Sequence, residues 1–431
     1  MRLKYNILAG LQVLFSLLFF FQLASVFGAA GESDSFLVSM SIIAAVQLLQ
    51  LMFVEQLLFF YQQHKAVSKE YARVFYLNSL LFSVAVGVVF IVCFYLFSDE
   101  FIDLYLIFGS NSDDKVLLKE VFMYLCFGLI VYPATYVNDR VLNAEEKFAL
   151  PYVSEMMPYI FMVLCFVWFE YLDIEPDILY LALSRSLGMF FGLIVTSSVL
   201  ISDGFFKVKY LKLENNFIQF IQNSFMMRFS HNINNFGVNF IVNSFLLSLP
   251  EGFASIYHYA LKGVTVIKQV IVGPLYRVFQ TDFSSCLYNN KSEKAKNVAK
   301  KFAKKSMGLY VVLLVISWFL IEPVLNYLVP VKFDSSVVHE ISTYFILIGF
   351  WHSLMVAELS RITLYMAIKD YKVFLLANSV IVFVLFFTVY LIQVTLVEFV
   401  VINIVLQACS YLYYVVMFNK KLQVYVNRNF N

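Results

Sequence analysis

Charge is scarce in this chain. Only 14% of its 431 residues are Asp, Glu, Lys or Arg, against roughly 25% in a soluble domain. A water-facing surface cannot be built from so few, so a soluble globule is excluded. Glycine is also thin, at 15 residues. No glycine-rich phosphate loop, metal motif or nucleophile elbow occurs, which removes ATP-driven and hydrolytic chemistry. The five cysteines (93, 126, 165, 286 and 409) show no metal-like spacing, and four fall in apolar runs, so neither a disulfide framework nor a metal site is expected. Loops long enough to hold a catalytic domain are missing as well. No cleavable signal is expected, because the first apolar stretch is too long and lacks a small-residue cleavage site.

What is present is hydrophobicity, at 61% of residues with 18% aromatic. Stretch 6–28 carries no charge at all. An apolar run of about 20 residues is what a helix needs to cross a ~30 Å hydrocarbon core. Twelve such spans are expected, near 6–28, 36–62, 74–98, 117–139, 149–170, 177–201, 218–247, 252–276, 306–328, 338–364, 373–393 and 397–418. The connecting loops alternate in charge. Lys65, Lys69, Arg73, Arg140, Lys147 and the lysines of 291–305 fall on one side, and Glu32, Asp34, Asp99, Glu100, Glu170, Asp173 and Glu251 on the other. The positive-inside rule then places both termini in the cytoplasm. An odd number of spans would break this alternation.

The fold class is therefore an all-α polytopic membrane protein of about twelve transmembrane helices in two six-helix lobes, 1–210 and 211–431. Weak internal similarity supports the halving. Arg140 to Phe148 (RVLNAEEKF) and Tyr365 to Tyr371 (YMAIKDY) each place an alanine four residues before an aromatic ring, with an arginine upstream. Two repeated bundles facing a central site are a common transporter plan.

Polar residues at membrane depth carry the functional signal. Arg228, Asn232, Asn235, Asn239 and Asn243 recur at spacings of 4, 3, 4 and 4 along span 7, which aligns them on one helical face. Such a face must look at other helices or a wet cavity, because unpaired polar groups in hydrocarbon cost several kcal/mol. Helix–helix hydrogen bonding is one reading; a stripe nearly four turns long fits a cavity wall better. Span 8 repeats the pattern with His258, Lys262, Thr265 and Gln269, and span 6 holds Arg185. The deep set Arg185, Arg228 and Lys262 is basic, which favours an anionic substrate such as a diphosphate. Glu55, Asp139, Glu155, Glu358 and Arg361 lie nearer the basic side and are candidates for a gate or for coupling. Glu358 and Arg361, three residues apart, are expected to pair. Pro133, Pro158 and Pro274 are candidate hinges or kinks.

The segment 291–305 (KSEKAKNVAKKFAKK) contains seven lysines, with Ala295, Val298, Ala299 and Phe302 on one helical face. It reads as a surface helix lying on an anionic leaflet. Nothing else in the chain supports nucleic-acid binding.

Local motifs add a family resemblance. Phe27-Gly-Ala-Ala-Gly-Glu-Ser-Asp34-Ser-Phe36 resembles the FGAG-x-x-TDAF signature of the lipid II flippase family, within the superfamily of multidrug, oligosaccharidyl-lipid and polysaccharide exporters. Leu142-Asn-Ala-Glu-Glu-Lys-Phe148 with Pro151, Tyr259-Ala-Leu-Lys262, and Gly273-Pro followed by Gln280-Thr-Asp-Phe-Ser are similar to further segments of that family. The resemblance implies that Asp34 is the family's acidic residue at the outer end of span 2. It also implies that Lys262 stands for a cavity arginine that helps hold a lipid-linked diphosphate. Two departures stand beside it. Family arginines of spans 1 and 2 are replaced by apolar or amide residues, Phe19 and Gln47 among them, and fourteen spans become twelve, the usual number for O-antigen and exopolysaccharide flippases.

The expected function is thus a flippase that moves an undecaprenyl-diphosphate-linked saccharide from the inner to the outer leaflet of a bacterial cytoplasmic membrane by alternating access. Arg185, Arg228 and Lys262 would bind the diphosphate, and His258, Asn232, Asn235 and Asn239 the rest of the headgroup. Asp34, Glu55, Glu358 and Arg361 would gate or couple. No cofactor is expected. Membrane potential, H+ and Na+ are the candidate driving forces, and polysaccharide-assembly proteins the candidate protein partners. The alternatives are a lipid II flippase proper and a cation-coupled multidrug exporter, with an oligosaccharide polymerase behind them.

Overall fold

A computed structural model describes residues 2–109, 112–207, 216–288, 292–329, 333–367, 371–392 and 394–428. It is helical throughout, with no strand among those residues. Span 1 is α1 (Arg2–Phe27). Span 2 is α2 (Gly31–Gln50) and α3 (Leu57–Val67), separated by a tight 3-10 turn at Leu51–Phe53. Span 3 is α4 (Lys69–Leu96), followed by the short α5 (Ser98–Tyr105). Span 4 is α6 (Ser112–Cys126) and α7 (Tyr132–Ala144), again with a 3-10 turn between them, Phe127–Ile130. The remaining spans are single helices: α8 (Ala149–Leu172), α9 (Ile178–Ser202), α10 (Asn216–Leu247), α11 (Phe253–Tyr288), α12 (Ser292–Leu328), α13 (Ser335–Ala367), α14 (Tyr371–Leu391) and α15 (Leu396–Arg428).

Each of the twelve expected spans coincides with one of these helices or, for spans 2 and 4, with a pair of them. Nine segments among the described residues are long and apolar enough to span a bilayer. By the same standard α10 and α14 are apolar over shorter pieces, Asn235–Leu247 and Leu375–Leu391. Outward-facing apolar side chains such as Leu81, Val88, Val89 and Val92 of α4 would be costly in water and are at home in lipid.

The chain forms two compact units, Met1–Gly252 and Phe253–Asn431. The repeat expected from the sequence divides near residue 210; by packing, α10 belongs with the first unit because it lies against α2.

Two departures from the expected helices lie in the first unit. Spans 2 and 4 are broken, not continuous. Each break frees backbone groups that hydrocarbon cannot satisfy, and side chains from neighbouring segments take them up. Gln50 Nε2 donates to the Leu129 carbonyl at 3.0 Å, and the backbone N–H of Gln56 donates to Ser224 Oγ at 3.1 Å. Pro133 sits in the first turn of α7, where its missing N–H costs nothing. The basic end of this unit is sealed by an aromatic cluster that includes Phe60, Phe75, Tyr76, Phe205, Phe217 and Phe220.

Helices α8 and α9 pack along their length through Gly188 and Gly192, a small-xxx-small pair that permits backbone contact. A Cβ on Gly188 would lie 2.6 Å from Pro158 Cα and 2.7 Å from the Met157 carbonyl oxygen. Pro158, inside α8, lacks the N–H that would bond the Ser154 carbonyl; a Cβ on Gly192 would stand 3.0 Å from that same oxygen.

The second unit corrects the reading of 291–305. Its described part is not a separate surface helix but the first turns of α12, continuous with span 9. Its apolar face is occupied: Ala295, Ala299 and Phe302 are buried against Phe279, Phe283 and Cys286 of α11 and Phe418 of α15. The rings of Phe279 and Phe302 stack at 4.3 Å. Intramolecular aromatic burial takes the face that lipid would otherwise have used, while Lys294, Lys296, Lys300, Lys301, Lys304 and Lys305 remain exposed. α15 opens with a reciprocal cap: Glu398 accepts from the backbone N–H of Thr395 at 2.8 Å, and Thr395 Oγ1 accepts from that of Glu398 at 3.3 Å, the capping-box arrangement.

Replacing Gly188 by Val should drive α8 and α9 apart and cost about 1–3 kcal/mol, as overpacking does. Gly10 is the control, because a Cβ added there would meet nothing within 4 Å. Equal melting of Gly188→Val and Gly10→Val in detergent would refute the close-packing account.

Candidate functional site

At the acidic end of the first unit, two outside loops hold each other. Asp34, in the first turn of α2, accepts from the backbone N–H of Gly252 at 2.6 Å. In return, Glu251 accepts from the backbone N–H of Gly31 at 2.5 Å. Each carboxylate thus satisfies an amide on the opposite loop, and Glu251 also meets the positive N-terminus of α2. Gly252 has φ of +93°, and a Cβ there would lie 2.9 Å from the Ala29 carbonyl oxygen. Both the turn and the close approach require glycine. Sequence reasoning singles out Asp34 but not Glu251, whose bonded partner is distant in the chain.

Deeper in, α2 and α10 are stitched by amides. Asn232 Nδ2 donates to the Leu48 carbonyl at 2.9 Å. Asn239 and Asn243 both donate to Ser41 Oγ, at 2.8 and 3.1 Å, and Asn243 also donates to Asn239 Oδ1 at 2.9 Å. Asn235 is half-buried on the same helix. The side chain of Arg228, like that of Pro274, lies outside the described residues. Asn232 Oδ1 and Asn243 Oδ1 are buried without a partner among the described residues, and so is Arg185 Nη1 on α9. The stripe therefore turns its donors to a neighbouring helix and leaves acceptors open. Arg185 supplies a half-buried cation close enough to Tyr132 and Tyr159 to interact electrostatically with them.

Nearer the basic side, the break in span 2 exposes Glu55 to α7. Tyr136 donates its hydroxyl to Glu55 Oε2 at 3.1 Å, and the Arg140 guanidinium lies 4.5 Å over the Tyr136 ring. Ser154 Oγ donates to Asp139 at 3.1 Å, and Gln12 Nε2 donates to Glu155 at 2.9 Å. All three acids are thus tied to neighbouring helices. Among the described residues no group of three or more metal-ligating side chains occurs.

In the second unit, His258 and Lys262 stand one turn apart on α11. His258 is buried with Nε2 unpartnered among the described residues, and Lys262 is half-buried. His352 on α13 likewise keeps Nδ1 unpartnered among them. The expected ion pair of Glu358 and Arg361 does not form. Glu358 turns to α15, where Gln407 Nε2 donates to it at 2.6 Å. Arg361 bonds the Ala357 carbonyl at 3.1 Å and the Tyr411 hydroxyl at 3.2 Å, and stacks 4.4 Å over the Tyr411 ring. Gln407 and Tyr411 on α15 engage the two side chains instead of leaving them to each other.

A polytopic helical bundle with half-buried cations and open amide acceptors among the described residues has the features of a membrane transporter. The fold agrees with solved ones. The chain is similar to a lipid II flippase MurJ in an inward closed conformation (TM-score 0.75, 15% identity, 96% of this chain and 87% of that one). It is also similar to an inward-facing multidrug resistance MATE family transporter of the MOP superfamily (0.71, 13%, 96% and 95%), and to a MOP superfamily transporter from Pyrococcus furiosus (0.63, 13%, 98% and 95%). No curated protein matches it by sequence. Residues 23–430 match the family model described as lipid II flippase MurJ. The chain belongs to that family, whose members are transporters and not enzymes.

Asp34→Ala and Glu251→Ala should each lower stability by about 1 kcal/mol or more. Because both carboxylates close the same pair of loops, the double variant should depart from additivity by at least ~0.5 kcal/mol. Strictly additive thermal melting would show that the two bonds are independent.

Proposed function

We propose that the protein flips a polyprenyl-diphosphate-linked cell-wall precursor of the lipid II type across a bacterial inner membrane, with both termini in the cytoplasm. One observation carries this: the family match runs from residue 23 to residue 430, through both units, from the end of span 1 to the end of span 12. That extent outweighs the span count, which favours an O-antigen or exopolysaccharide precursor. It also ranks the multidrug exporter lower, since likeness to MATE transporters is a likeness of fold.

The buried cations give the reading its chemistry. A diphosphate entering a low-dielectric cavity needs charge-assisted donors. Arg185, with a buried guanidinium nitrogen unpartnered among the described residues, and Lys262 are the described candidates, with Arg228 beside them by sequence. His258, Asn232, Asn235 and Asn239 would hydrogen-bond sugar and peptide groups, with Asn232 Oδ1 and His258 Nε2 unpartnered among the described residues. The lipid tail would stay in the bilayer while the headgroup crosses. Repeat halves 1–210 and 211–431 would rock about the site. Asp34 would help hold the outer end closed. Glu55, Glu358 and Arg361 are the proposed gate or coupling groups, driven by membrane potential, H+ or Na+ and with no cofactor. Polysaccharide-assembly proteins are proposed partners, and the exposed lysines of α12 would attract anionic lipids.

Proteoliposomes loaded with fluorescent lipid II on one leaflet test this directly. Wild type should equilibrate the label. Arg185→Ala, Arg228→Ala and Lys262→Ala should each slow it tenfold or more, about 1.4 kcal/mol per factor of ten, with unchanged melting temperatures. Transport of an undecaprenyl-diphosphate O-unit but not of lipid II would overturn the substrate assignment. Wild-type rates in all three variants would overturn the cationic site.

A further inference from the structure

A second basic site lies away from the proposed transport residues. At the basic end of the first unit, a cavity of about 220 Å³ opens between the α3–α4 turn, the loop after α7 and the turn after α9. Four cations line it, Lys65, Lys69, Arg73 and Lys147, against two carboxylates, Glu145 and Asp203. Both carboxylates are already engaged. Glu145 pairs with Lys65 at 2.9 Å and accepts from the Tyr61 hydroxyl at 2.7 Å. Asp203 pairs with Lys147 at 2.5 Å. Burial pushes the Glu145 carboxyl up, but the bonds from Lys65 and Tyr61 outweigh it and hold the group below the usual range. Both acids are thus committed to lysines within the cavity, and Lys69 and Arg73 leave an excess of positive charge.

Arg73 is fixed at the cavity wall. One Nη2 donates to the Asp203 carbonyl oxygen at 3.3 Å, and the guanidinium lies 5.8 Å over the Phe205 ring. Its remaining N–H groups keep the planar fork that suits phosphate oxygens. Lys69 is exposed at the first turn of α4, where unbonded backbone amides add positive potential. Val67 and Tyr71, two residues either side of Lys69, are strongly exposed apolar side chains, and the exposed apolar surface of α4 resumes at Leu81. A polar basic cavity joined to a lipid-facing helix suits an amphiphile more than a free ion.

We propose that this cavity holds the phosphate of an anionic phospholipid headgroup, whose acyl chains run along α4. Two oxygens would bridge Arg73 and Lys69, and Lys65 and Lys147, each with donors left over from their carboxylate partners, would complete the shell. A bound headgroup would tie together three loops of the first unit and stiffen that end.

Purified protein in neutral detergent, titrated with phosphatidic acid, phosphatidylcholine or inorganic phosphate, provides the test. Bound lipid is counted by native mass spectrometry, and stabilisation is read by thermal unfolding. Phosphatidic acid should bind and raise the melting temperature well above phosphatidylcholine. Lys69→Gln and Arg73→Gln should each weaken it about tenfold, and Arg73→Lys less. The pair Lys115→Gln/Lys119→Gln, whose lysines pair with Asp103 and Asp99 at the acidic end of the same unit, should leave it unchanged. If Arg73→Gln does not fold, Lys69→Gln, altered at an exposed position, carries the test. Unchanged affinity in Lys69→Gln, or an equal loss in the Lys115/Lys119 pair, would overturn the site. Stabilisation by inorganic phosphate equal to that by phosphatidic acid would overturn its lipid nature.

Discussion

Hydrocarbon offers no hydrogen bonds, and most of this structure follows from that refusal. Any polar group at membrane depth must find its partner inside the protein or line a space where water or substrate supplies one. The breaks in spans 2 and 4 illustrate the first solution. Gln50 supplies the Leu129 carbonyl and Ser224 the amide of Gln56, so two interrupted helices persist side by side. The same constraint explains the amide stitching between α2 and α10, and it makes the leftover acceptors and the Arg185 guanidinium informative. A protein that only needed to fold would have no reason to keep them.

The division of labour between the two ends follows the charge pattern. On the acidic side, Asp34 and Glu251 close a pair of loops by bonding backbone amides. Carboxylates do this without needing a cationic partner, so the clasp survives on a side where basic residues are rare. On the other side, lysines and arginines are numerous, and the aromatic rings of Phe205 and Tyr136 hold guanidinium groups in place.

The twelve crossings are legible in the sequence because hydropathy and loop charge report the same physical boundary, the edge of the hydrocarbon. What stays hidden depends on contacts distant in sequence. A 3-10 turn at Leu51–Phe53 has no proline or glycine to announce it; only the partners on α6–α7 and α10 make it stable. The lysine-rich start of α12 looks amphipathic in isolation, yet its apolar face is claimed by Phe279, Phe283 and Phe418. Glu358 and Arg361 suggest a pair by spacing, but α15 offers each a better partner. Of the candidate site, the residue types and their helical faces are readable; which neighbour each chooses is not. The close approach at Gly188 and Gly192 depends likewise on what α8 presents opposite them.

The broken second span has a mechanical consequence. Its outer half, α2, is bonded through Ser41 and Leu48 to α10, whereas its inner half, α3, is packed into the aromatic cluster with α4 and α7. A continuous rod would transmit tilt from one membrane face to the other. A jointed one must be braced from outside, and α10 does this: it is continuous from Asn216 to Leu247, places Phe217 and Phe220 in the cluster beside α3, and bonds α2 through Asn232 and Asn239. α10 is therefore a splint across the break, and a tilt imposed on either half of span 2 is passed to the other through a helix that is not itself broken.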